Sequence, residues 1–69
     1  MKTAQQIYDA EIRNCARSSE WKAGTLRGLQ KALGEPASPA GVPYAAGTSQ
    51  DDAWRAGYQH GLAEGKALA

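Results

Sequence analysis

Apolar and small residues recur at helical spacing in two stretches of this chain, separated by a stretch with neither helical nor strand periodicity. From Thr3 to Leu33 there is no proline. Tyr8, Ile12 and Cys15 stand three and four residues apart. The row continues through Ser19 and Lys22 to Leu26, Leu29 and Leu33, an interrupted seam along one helix face. Thr3 and Gln6 have the spacing of a capping box. Gly34 suits the position just past a helix end, and Pro36 forbids continuation. The pattern predicts helix 1 over about residues 3–33, roughly 45 Å at 1.5 Å per residue. Its weakest stretch is Asn14–Ser19, where poorer helix formers gather. Residues 34–50 hold all three prolines and predict a loop, with Val42-Pro43-Tyr44 as its apolar cluster. Helix 2 is expected over about residues 50–67. Thr48 with Asp51, or Ser49 with Asp52, would cap it, and both aspartates suit the positive end of the helix dipole.

One phrase occurs in both helical stretches. Residues 21–29 read Trp-Lys-Ala-Gly-Thr-Leu-Arg-Gly-Leu, and residues 54–62 read Trp-Arg-Ala-Gly-Tyr-Gln-His-Gly-Leu, an offset of 33. Gly24, Gly28, Gly57, Gly61 and Gly65 all lie inside expected helices. Each disfavours helix by about 1 kcal/mol relative to alanine. Five together approach the whole stability of a small domain, at about 5 kcal/mol. Close backbone approach along the glycine rows would offset that. The expected architecture is an all-α, two-helix antiparallel hairpin spanning residues 1–69 as one domain. Trp54 would cover Gly28 and Ala32, and Trp21 would cover Gly61 or Gly65. Helix 1 would overhang helix 2, leaving Ile7, Tyr8, Ile12 and Cys15 without an intrachain partner. An open apolar seam predicts a partner surface, here a homodimer contact flanked by Arg13 and Arg17.

Composition narrows the chemistry. Cys15 is the single cysteine, so there is no internal disulfide, and with His60 it cannot complete a zinc site. His60 reads as a surface histidine and Cys15 as a small apolar residue. No catalytic residue, cofactor site or metal site is expected, and the chain reads as non-enzymatic. It shows neither a secretory apolar region nor a membrane-length run, so a cytoplasmic location is expected. Eight Lys and Arg against seven Asp and Glu give a net charge of +1, which argues against nucleic-acid binding. Yet the charge is uneven, basic in residues 1–33 and mildly acidic afterwards. Arg13, Arg17, Arg27 and Lys31 fall along one helical stripe, suited to phosphates or to an acidic protein surface.

Two resemblances bear on function. Gly24 and Gly28, then Pro43-Tyr44, then Trp54-x-x-Gly57-Tyr58 resemble the ribosome modulation factor family over about residues 20–62. Val42 stands where that family usually has cysteine. The resemblance implies a non-enzymatic protein that binds ribosomal RNA. In length and two-helix plan the chain also resembles small phage-encoded proteins that disable host proteins, the anti-quorum-sensing type among them. That similarity implies a homodimeric inhibitor of a host protein such as a LuxR-type transcription regulator. The latter is the leading expectation, with the ribosome-binding reading as the alternative.

Overall fold

The computed structural model describes residues 3–36 and 42–68. All regular structure among them is helical. Helix α1 (Ala4–Ile7) runs straight into a π-helical turn at Tyr8–Ile12; α2 spans Ser19–Ala32 and α3 spans Ser49–Leu68. The expected single helix over residues 3–33 is therefore two helical segments. The break falls at residues 13–18, overlapping the weakest stretch of the sequence. Local chemistry ends one segment and starts the next. Arg13 donates its backbone N–H to the Tyr8 carbonyl at 2.8 Å and closes the π turn. Ser18 is extended and accepts from the Trp21 N–H through its side chain, so α2 has its own cap. Lys22 donates through Nζ to the Arg13 carbonyl at 2.8 Å, satisfying a group the break leaves bare.

The other ends follow the expected signals. Thr3 and Gln6 form the reciprocal capping box. Gly34 is left-handed at φ 74°, and Glu35 donates its N–H to the Gln30 carbonyl at 2.8 Å across the end of α2. Of the two alternatives for α3, Thr48 and Asp51 form the working cap. The Thr48 hydroxyl accepts from the Asp51 N–H at 3.1 Å, and the Asp51 carboxylate accepts from the Gly47 N–H at 3.2 Å.

The main correction is direction: α2 and α3 run parallel, not antiparallel. Gly24 lies against Trp54, Gly28 against Tyr58 and Gly61, and Ala32 against Gly65, so the numbers rise together along both helices. A two-helix hairpin would require them to run in opposition. The connection has the reach for the parallel arrangement. Helix α2 is 14 residues, roughly 21 Å long, and the return segment of residues 33–48 reaches about 50 Å if extended.

A second correction follows from the break. The N-terminal segment folds back onto α2 instead of overhanging it. Ala4 and Ile7 form the buried core with Leu29, with Leu26 and Leu33 packed around them. The Ala4 N–H donates to Glu35 Oε2 at 2.8 Å and pins the start of α1 beside the end of α2. Ile7 and Ile12 are only 2% and 4% exposed, so they are core residues of this chain and not an open seam. Tyr8 and Cys15 stay half-buried, and Arg13 and Arg17 are exposed. No helix among the described residues is long and apolar enough to cross a membrane.

Candidate functional site on the helix pair

The repeat becomes a pseudo-twofold axis running between α2 and α3. A β-carbon on Gly24 would overlap the Trp54 carbonyl oxygen, and one on Gly57 would overlap the Trp21 carbonyl oxygen. Gly28 stands in the same way against the Tyr58 carbonyl, and Gly61 against that of Thr25. Each relation maps onto the other by the offset of 33 residues. Only glycine allows the backbones so near, which accounts for the helix propensity surrendered at these positions. The tryptophans do not cap the opposite glycine rows as expected. Each instead lends its backbone carbonyl to the lock, and its ring lies to one side of the pair.

Those two sides differ. On the first, Trp21 meets His60 with ring centroids 5.0 Å apart. The Arg17 guanidinium lies 4.9 Å from the indole centroid. His60 Nε2 is 3.0 Å from Glu64 Oε2, one turn along α3. The N-terminal segment covers this side and sets the Glu11 carboxyl beside that of Glu64. The Glu64 carboxyl is consequently raised above its ordinary value. The Glu11 hydrogen bond is the main cause, followed by burial and repulsion from Glu11, while His60 pulls the other way. His60 is the surface histidine expected from the sequence, paired with Glu64 one turn along α3.

On the second side lies a cleft of about 360 Å³ lined by Arg27, Val42, Trp54, Arg55, Tyr58 and Gln59. Trp54 is buried and stacks on Tyr58 at 5.4 Å, nearly parallel at 8°. The Arg27 guanidinium sits 5.8 Å from the Tyr58 centroid, and its Nε is buried without a hydrogen-bond partner among the described residues. Arg55 is oriented through Nε by the buried Asp51 carboxylate at 2.9 Å. Lys31 stands one turn beyond Arg27 on α2, and Lys66 two turns beyond Gln59 on α3. Because the helices are parallel, the four cations run away from the cleft in one direction.

The residues expected to carry function are therefore divided. Trp21, Gly24, Gly28, Trp54, Gly57, Gly61 and Gly65 meet at the helix interface, whereas Ile7 and Ile12 retreat into the core. The helix break takes Arg13 off the α2 stripe and into an ion pair with Asp9 at 2.7 Å. Tyr58, Arg55 and Gln59 were not among the sequence-derived candidates for partner binding. Their signal lay in the repeat: the four glycines the two copies share are the positions where the backbones meet, while Gln59, which replaces Leu26, is exposed at the cleft. No protein family, no curated protein and no solved structure matches the chain.

Proposed function

We propose that this protein is a non-enzymatic binding factor, akin to ribosome modulation factors, that associates with ribosomal RNA through the open side of the α2–α3 pair. The observation that carries this reading is local charge. The chain is nearly neutral as a whole, but Arg27 and Arg55 both line one aromatic-walled cleft, with Lys31 and Lys66 further along the same two helices. Phosphate affinity depends on cations that reach the backbone together, and the acids of the first side do not oppose them there. The residues of the family resemblance support the same reading, since Gly24, Gly28, Trp54, Gly57 and Tyr58 build the helix pair itself. Such a factor acts in the cytoplasm and needs no cofactor. Co-sedimentation with purified ribosomal subunits across a salt series tests it. Binding that weakens steeply with salt is expected, and no binding at moderate salt ends the proposal.

A second reading is a homodimeric inhibitor of a host protein such as a LuxR-type regulator. It is favoured by half-buried Tyr8 and Cys15 on the same segment as exposed Arg13 and Arg17, a mixed patch of the kind protein partners use. Affinity purification of tagged protein separates the readings: ribosomal proteins and RNA indicate the first, one soluble regulator the second.

A further inference from the structure

We infer that Arg27 is the anchor of a phosphate site in the open cleft, one that grips a nucleic-acid backbone without reading its bases. The inference deepens the reading proposed above and rests on it for the nature of the ligand. The repeat supplies the argument. By the offset of 33 residues, Arg27 is the counterpart of His60, Lys31 of Glu64, and Trp54 of Trp21. On the first side the counterpart residue has an acceptor built in, because the Glu64 carboxyl stands 3.0 Å from His60. On the second side a lysine occupies the place of that glutamate. Arg27 is left with a buried Nε that donates to nothing among the described residues, beside a cleft large enough for a phosphate group and part of its sugar. Leaving such a donor unpaired is unfavourable, and an anion in the cleft that draws the half-buried side chain outward would satisfy it.

The same geometry argues against base recognition. Tyr58 is already engaged by the Trp54 ring at 5.4 Å and by the Arg27 guanidinium at 5.8 Å. Its ring holds the arginine in place rather than receiving a base. Arg55, held by Asp51, adds a second cation at the cleft wall. The ligand chemistry is thus a phosphate monoanion or diester, with contacts that position and do not specify.

The test is titration of isotopically labelled full-length protein with octamers of uridine and of adenosine, with inorganic phosphate, and with an oligoglutamate peptide. The readout is the Arg27 side-chain Nε–H resonance. Both octamers should shift it with similar affinity, and phosphate should shift the same resonance at higher concentration. Arg27→Gln should weaken octamer binding about tenfold or more, the scale of one charge-assisted hydrogen bond. Its circular dichroism and melting should match wild type. Octamer binding that leaves the Arg27 resonance unmoved, or that Arg27→Gln does not weaken, overturns the anchor while the ribosome reading stands. A response to phosphate and octamers in a protein that fails to co-sediment with ribosomes preserves the anchor and removes that reading. Strong preference for one octamer, or tighter binding of oligoglutamate than of either, overturns the inference.

Discussion

The two sides of the α2–α3 pair start from the same nine-residue phrase and finish with opposite characters. Around Trp21 the chain supplies its own cover, an acid for His60, and a guanidinium over the indole. Around Trp54 it supplies cations and an aromatic wall, and the described residues leave the space open. The substitutions responsible are few. Leu26 and Leu33, which pack against Ala4 and Ile7, become Gln59 and Lys66 at the equivalent positions. An apolar strip recruits a covering segment because burial is favourable, at about 25 cal/mol per Å²; a polar strip does not. Packing symmetry is kept where backbones touch, and asymmetry in the flanking side chains separates a structural side from a binding side.

The largest effects should come from breaking the symmetric element itself. Gly24→Ala and Gly57→Ala each place a methyl group on the opposite helix's carbonyl oxygen. Overpacking of this kind typically destabilises by about 1–3 kcal/mol, against a gain in helix propensity of about 1 kcal/mol. The contacts are reciprocal, so the two variants should lose similar stability in urea unfolding. The double variant should lose less than the sum, since the first substitution already parts the helices. Gly61→Leu should be worse than either. Gly65→Ala should be mildest, because its new carbon meets the Ala32 methyl at 2.6 Å and not a backbone atom. A melting temperature raised by Gly24→Ala or Gly61→Leu would contradict the close parallel contact.

Next in size is removal of the cover. Ile7→Ala leaves a cavity at a buried site, but local detachment of the four-residue α1 limits the loss, which should stay below that of the glycine variants. Here the loss should be local, since α1 and its π turn can detach while α2 and α3 remain locked. Hydrogen exchange should accelerate at the Ile7 and Arg13 amides and stay slow at the centres of α2 and α3. Uniform acceleration would mean that the covered side and the glycine lock unfold as one unit. Ile12→Asp should act in the same way.

Much of this was legible in the residues. The caps at Thr3 and Thr48, the left-handed Gly34, the weak stretch before Ser19 and the all-helical class all follow from local chemistry that tertiary contacts do not override. Direction was not legible from the repeat alone, because two equal glycine rows satisfy parallel and antiparallel pairing alike. The loop held the better clue. Antiparallel helices usually join through two to eight residues, and the longer segment after Leu33 is what a parallel return requires. The fate of Ile7 and Ile12 was hidden for a related reason: a helical seam shows that a face is apolar, not which surface covers it. For the cleft, net charge was uninformative. A sum over the chain says nothing of where Arg27 and Arg55 meet.

The carboxyl pair offers a graded test on the covered side. Glu64 is held above its ordinary value of 4.5, so the folded protein retains that proton more firmly than the unfolded chain. Stability contributed there is present below pH 4.5 and lost as pH rises through the folded value. Amide protection across Tyr8–Ile12 should therefore fall as pH is raised from 4.5. Glu64→Gln should flatten that dependence, because it removes the charge that opposes Glu11. An identical pH profile in Glu64→Gln would show that the pair does not govern the segment.

The smallest effect concerns Arg17, and it tests whether the cover is tied down at its far end. The residue is exposed and lies over the Trp21 ring at 4.9 Å. A cation–π contact at such a site contributes about 0.5–1 kcal/mol. It acts at the end of the 13–18 stretch, whose other tie is the Lys22 hydrogen bond to the Arg13 carbonyl. Arg17→Ala should lower overall stability by less than the glycine variants and change the environment of Trp21 alone. In a Trp54→Phe background, which leaves Trp21 as the single emitter, Arg17→Ala should shift the emission. Arg27→Ala, on the opposite side, should leave that emission where it was. If both arginine variants move it, the two sides communicate through the glycine lock. If neither does, Arg17 contributes nothing to the closed side, and the apolar contacts of Ala4, Ile7 and Ile12 hold the cover without it.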